Sequence, residues 1–131
     1  MQVHKLLRRG ESHKNYCEDF LLAYDLNNRY SVYGVFDGCS SGVDSHFASA
    51  LIAKVFRAEL KLLLSINFNS TKEILIQTLF KSIQSIANIQ KNLLLETDEI
   101  LSTMIVFIAD LQQLSGDIII IGDGFVSVNG E

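Results

Sequence analysis

Three short acidic stretches carry the residues best suited to chemistry in this sequence: Glu18 with Asp19, Asp37 followed by Gly38, and Asp123 followed by Gly124. Each adjoins an apolar run, which sets its carboxylate at the edge of a core, where gathered negative charge is costly unless something positive joins it. Hard divalent cations such as Mg2+ and Mn2+ prefer such oxygen ligands. A glycine beside the acid lets backbone approach closely and leaves a carbonyl for a metal or its waters. Each stretch also has an ordinary reading, since Asp-Gly is a common turn and Glu-Asp a solvated strand end. Periodicity alone does not bring the three together in space.

The elements around these stretches must position them. Residues 3–8 read as a short strand, followed by a polar loop over 10–15. Residues 18–25 and 30–37 read as strands joined at Asn27 and Asn28, a turn signal. The loop 38–42 then feeds a helix with Asp44 as N-cap and an apolar face of Phe47, Leu51, Val55, Ala58 and Leu62, ending near Leu64. Ser70 and Glu73 fit a capping box for a second helix. Its face is Leu75, Leu79, Ile83, Ile86 and Leu93, and it runs to about Leu95. Residues 102–110 and 117–121 are apolar enough for strands buried on both faces, with 125–128 continuing the second. Strands joined by short turns are antiparallel. The order therefore predicts an α+β domain with a helical hairpin on a mostly antiparallel sheet. Asn129 and Gly130 are a hairpin signal, which implies a returning strand and a domain that continues beyond Glu131.

Composition narrows the class. The chain has 131 residues, 48% hydrophobic and 20% charged, enough apolar surface for one folded domain. A net charge of −4, with no basic cluster beyond Arg8 and Arg9, argues against nucleic acid as a partner. No apolar run reaches the roughly 18–20 residues of a membrane span, and residues 1–5 have no signal-peptide core. Cys17 and Cys39 form no C-x-x-C and have no histidine at zinc-ligand spacing, so they read as reduced thiols of a soluble cytoplasmic protein. His4, His13 and His46 are scattered and read as surface or packing residues.

Taken as a set, the motifs resemble those of the metal-dependent protein serine/threonine phosphatases of type 2C. The run from Lys14 through Glu18 and Asp19 to Phe20 is similar to the family's opening motif, an Arg followed after three residues by Glu-Asp. Tyr33 to Gly38 is similar to its VFDGHGG motif. Ser102 and Thr103 resemble its GST strand, and Ile121 to Gly124 its GDS or GDG motif. The resemblance covers essentially the whole chain. It implies sheets packed as a sandwich and flanked by the antiparallel helical hairpin, with residues 1–131 forming a single domain that is the N-terminal portion of the family's.

The resemblance also implies roles. Asp37 would bridge two Mn2+ or Mg2+ ions, with Gly38 offering its backbone carbonyl to one of them. Glu18 would act through metal-bound water, Asp19 belongs to the same motif, and Asp123 matches a ligand of a third, weaker metal. Lys14 stands where the family has a phosphate-binding Arg, which costs the bidentate fork. Cys39 stands where many members have a histidine, the general acid. The implied reaction is hydrolysis of phosphoserine or phosphothreonine in a phosphoprotein by metal-activated water, which needs no protein nucleophile. Cys39 has Ser45 rather than Arg six residues on, so the cysteine-phosphatase loop is absent. The alternative is a pseudophosphatase that binds a phosphoprotein without turnover. A further reading is self-association through an uncovered sheet.

Overall fold

The chain is described by a computed structural model over residues 2–9, 11, 17–39, 45–63, 68 and 70–131. Strand β1, Asp19–Asp25, and strand β2, Tyr30–Gly38, form an antiparallel hairpin. Its turn is built by Asn27, whose side-chain oxygen accepts the backbone N–H groups of Arg29 and Tyr30, each at 2.8 Å. That local bond is why asparagine favours such a corner. Helix α1, Ser45–Leu63, and helix α2, Thr71–Leu93, follow. A short 3-10 helix, Thr97–Ile100, leads into β3, Ser102–Asp110, and β4, Ser115–Ile121. The four strands lie in the order β1-β2-β3-β4, every neighbour antiparallel.

Ser70 caps α2 as the sequence predicts: its hydroxyl accepts the Glu73 N–H at 3.2 Å. Leu94 closes the helix in the left-handed region, and the Leu95 N–H returns to the Gln90 carbonyl at 3.0 Å. The expected N-cap of α1, Asp44, lies outside the described residues.

The helical hairpin covers one face of the sheet. Val32, Phe36, Val106 and Ile108 meet Ala53, Phe56 and Leu60 of α1 and Ile74 of α2, all fully buried. The rings of Phe36 and Phe56 stand 6.5 Å apart and tilted by 58°. Each of these side chains other than Ala53 gains about 1.5–3 kcal/mol from leaving water. Thr71 donates to the Asp117 carboxylate, tying the start of α2 to β4.

Both helix faces are rotated from the predicted ones. Leu62, Ile83 and Leu93 are exposed, while Ala48, Ser49 and Ala53 of α1 and Thr71, Thr78 and Ser82 of α2 are buried. Small residues let a helix approach the sheet closely, and the hydroxyls of Thr78 and Ser82 are satisfied within the helix by the carbonyls of Ile74 and Thr78, each at 2.7 Å. A pattern read from large apolar residues misses a face built from small ones.

Three further expectations change. Residues 2–9 carry no regular structure and are exposed, because no strand pairs with them. Residues 125–128 do not extend the sheet. β3 and β4 are covered on one face only; on the other, Ile118 and Ile120 of β4 remain 41% and 46% exposed, as does Val35 of β2 at 47%. The α+β class, the antiparallel sheet and the helical hairpin stand as expected, and the described residues form one sheet, with no second sheet among them. Asn129 and Gly130 make the expected two-residue turn. Both have positive φ, 56° and 86°, and Val128 and Glu131 exchange backbone hydrogen bonds at 3.1 Å. No helix among the described residues is long and apolar enough to cross a membrane.

Candidate functional site

The register of the sheet gathers the acidic stretches at one end. Asp19 of β1 lies opposite Asp37 of β2, and Asp37 lies opposite Thr103 of β3. Continuing the row, Gly122 follows β4 and packs over Thr103, where an added Cβ would meet the threonine side chain at 2.6 Å. Gly122 has φ 87°, a conformation open to glycine at little cost, and the bend it allows carries Asp123 back over the row. Alternation places Asp19, Asp37 and Thr103 on the face that the helices leave open.

Two adjoining clefts open there. One, of about 490 Å³, is lined by Glu18, Asp37, Gly38, Cys39, Leu101, Ser102, Thr103 and Asp123. The other, of about 450 Å³, is reached from Arg8, Asp19 and Gly124. Asp37, Thr103 and Asp123 line both and so form the wall between them. The pairing of the strands runs past their ends: the Gly38 N–H donates to the Glu18 carbonyl and the Cys39 N–H to the Leu101 carbonyl, both at 3.1 Å. These bonds fix the backbone around Asp37 on both sides.

The electrostatics follow from the geometry. Asp37 is held above the ordinary carboxylate value, first by partial removal from water, then by a hydrogen bond with Asp19, then by the like charges of Asp19, Asp123 and Glu18. Asp37 keeps substantial exposure, so water screens much of this repulsion. The Cys17 thiol is 3.9 Å from the Asp19 carboxylate.

Carboxylate oxygens beside a glycine backbone are donors of the kind a hard divalent cation takes. Among the described residues, however, no group of three or more His, Cys, Asp or Glu side chains is close enough to hold a metal ion. The donors fit such a cation in kind and fall short in number.

The sequence-predicted residues thus divide. Glu18, Asp19, Asp37, Gly38, Cys39 and Asp123 come together at one sheet end, and Lys14 lies outside the described residues. Thr103 was named for its motif, yet it sits between Asp37 and Gly122 in the row. Strand pairing could have found it, because position 103 falls opposite 37 once the β2–β3 register is known. His4 lies on the apolar open face beside Leu21 and Val35, away from the acids.

Comparison with known proteins bears on the family and the fold. A family profile described as Protein phosphatase 2C matches residues 9–131. No curated protein sequence matches the chain. Among solved structures, the chain is similar to one of the PP2C phosphatase domain and a fragment of the regulatory domain of the cell fate determinant SpoIIE from Bacillus subtilis. The identity there is 19% and the TM-score 0.53, over 88% of this chain and 35% of that one. A second structure, of the SpoIIE phosphatase domain in a crystal form without domain swapping, is 21% identical with a TM-score of 0.38, over 86% of this chain and 48% of that one. The chain therefore spans between about a third and a half of the length of these solved chains.

Proposed function

The chain belongs to the protein phosphatase 2C family, and from that membership we propose that its acidic sheet end is part of a site for metal-dependent hydrolysis of phosphoserine or phosphothreonine in proteins. The observation that carries the reading is the row Asp19, Asp37, Thr103, with Asp123 beside it on the cleft wall and Asp37 pushed upward first by partial burial and then by its acidic neighbours. Asp37, the Gly38 carbonyl and Asp123 would hold Mn2+ or Mg2+, with Glu18 and Asp19 orienting the waters of the site. Bound there, such ions would supply an activated water and polarise phosphoryl oxygens. Lys14 would attract the phosphate, and Cys39, which lines the cleft with Asp37, would hand a proton to the leaving serine or threonine oxygen. A cytoplasmic location would keep Cys17 and Cys39 reduced.

A second reading rests on a specific observation: the described residues assemble no three-ligand metal group. A site of this kind favours a module that holds a phosphoprotein without turnover.

The deciding experiment is Mn2+-dependent hydrolysis of an aryl phosphate by the longest product of the gene, beside the 131-residue chain and Asp37→Asn. Activity that requires Mn2+ and is lost in Asp37→Asn supports the enzyme. A full-length product with no Mn2+-dependent turnover overturns it in favour of the binding module.

A further inference from the structure

We propose that Cys17 and Cys39 form a reversible dithiol–disulfide site at the mouth of the cleft, closed by a hydroperoxide. The inference stands on strand register and not on the family's chemistry. In the β1–β2 ladder Asp19 faces Asp37 and Phe20 faces Phe36. The Gly38 N–H to Glu18 carbonyl bond extends that register by one pair, and one step further places Cys17 directly opposite Cys39.

The kind of pair matters as much as the register. Glu18 and Gly38 are a hydrogen-bonded pair, so their neighbours on either side are non-hydrogen-bonded pairs. The Cys39 N–H confirms the alternation, because it points away from β1 and donates to Leu101 of the other neighbouring segment. Directly opposed residues of a non-hydrogen-bonded pair have Cα atoms about 4.5 Å apart and side chains on one face. That separation lies inside the range a disulfide spans, about 4.4–6.8 Å. The thiol of Cys17 lies 3.9 Å from the Asp19 carboxylate, which sets it on the open face with the acids, and Cys39 lines the cleft on that same side. Both residues are partly exposed and neither is in a disulfide. The second thiol was legible in the sequence only as part of a motif, and its partner only from the register.

The reaction balances with the oxidant alone. One thiol sulfur attacks the O–O bond of hydrogen peroxide, giving a sulfenic acid and one water. The other sulfur then displaces the hydroxyl, forming the S–S bond and breaking S–O, and a second water leaves with the remaining proton. A thiol reductant reverses it by exchange. The bridge would join the segment before β1 to the end of β2 and bracket Glu18 and Gly38.

The test uses the reduced 131-residue chain, treated with one equivalent of hydrogen peroxide, quenched by alkylation and analysed by intact mass and non-reduced peptide mapping. The expected result is a monomer lighter by two hydrogens, a Cys17–Cys39 linked peptide, and recovery of both thiols with dithiothreitol. Because the fold supplies the proximity, linkage in denaturing urea should be at least tenfold slower. Cys17→Ser should leave Cys39 as a sulfenic acid, trapped by dimedone, with no bridge within the chain. Independent oxidation of both thiols in the wild type, bridges only between chains, or linkage equally fast in urea would each overturn the proposal. None of these readouts depends on phosphatase activity or metal.

Discussion

Replacing Asp37 with asparagine should stabilise the fold, which is unusual for a residue at a candidate active site. The substitution keeps the side chain's shape and lets an amide N–H donate to Asp19, while removing one charge from a crowded row. Asp19 and Asp37 are directly opposed across β1 and β2. Like charges so placed destabilise a pair by about 0.2–1 kcal/mol. Asp123 and Glu18 push the same way, while the exposure of Asp37 lets solvent screen all three. The gain should thus be about 1 kcal/mol near neutral pH and low salt, or about 3 °C in Tm for a chain of this size. The sign with pH follows from the direction of the shift. Asp37 is raised above its reference value of 3.8, so the folded state holds the proton more tightly than the unfolded one. Its contribution is most favourable below that reference value and is lost as pH rises through the folded value. The advantage of asparagine should therefore appear only above about pH 4 and vanish in stronger acid. It should also fade in about 1 M salt, where the screening length is about 3 Å. Thermal unfolding of both proteins across pH, at two salt concentrations, measures this. An Asp37→Asn protein less stable than wild type at neutral pH, or a gain unchanged by acid and salt, would refute the account of the row as a gathering of like charges.

Two other sites give predictions of different kind. Asp110 is buried and lowered below its ordinary value, first by the hydrogen bonds from Arg29 at 2.9 and 2.7 Å; its other oxygen accepts the Gln112 and Gln113 N–H groups. Its sign is opposite to that of Asp37: it stabilises above the reference value of 3.8 and that stability is lost as pH falls through the folded value. Asp110→Asn should lower Tm near neutral pH, with the difference from wild type closing in acid. The open sheet face presents Ile118 and Ile120 at 41% and 46% exposure. For the self-association proposed through that face, Ile120→Lys should weaken concentration-dependent association in sedimentation velocity without lowering Tm, and unchanged association would remove this face from the contact.

The parts of the fold that could be read from sequence were those set by local chemistry. Asn27 made its turn, Ser70 capped α2, and Asn129 with Gly130 turned back the chain, because each acts through bonds to residues two or three positions away. The helix faces were misread because Ala53, Thr78 and Ser82 are buried in close packing, an outcome that hydrophobicity does not encode. Residues 3–8 looked like a strand, yet a strand exists only with a partner, and none is present for them among the described residues. The acidic stretches were each visible as types, and it took the register Asp19–Asp37–Thr103 to show that they share one row. Extended two residues beyond Asp19 and Asp37, the same register sets Cys17 opposite Cys39, the pairing proposed above, which no spacing in the sequence suggests.

The two faces of the sheet divide the work of folding from that of chemistry. Helix-side positions such as Val32, Phe36 and Val106 are fully buried and supply the core. The acids alternate with them along the same strands, Asp37 next to Phe36 in β2, and so point to the open side. Because that side stays wet, carboxylates can be gathered there at a cost of order 1 kcal/mol rather than the several kcal/mol that dry burial would impose. Covering the open face would change that balance: the same carboxylates, less hydrated, would repel more strongly and draw a divalent cation more tightly. On the proposed reading, the strength of metal binding would depend less on the identity of the acids than on what lies over the sheet face that bears them.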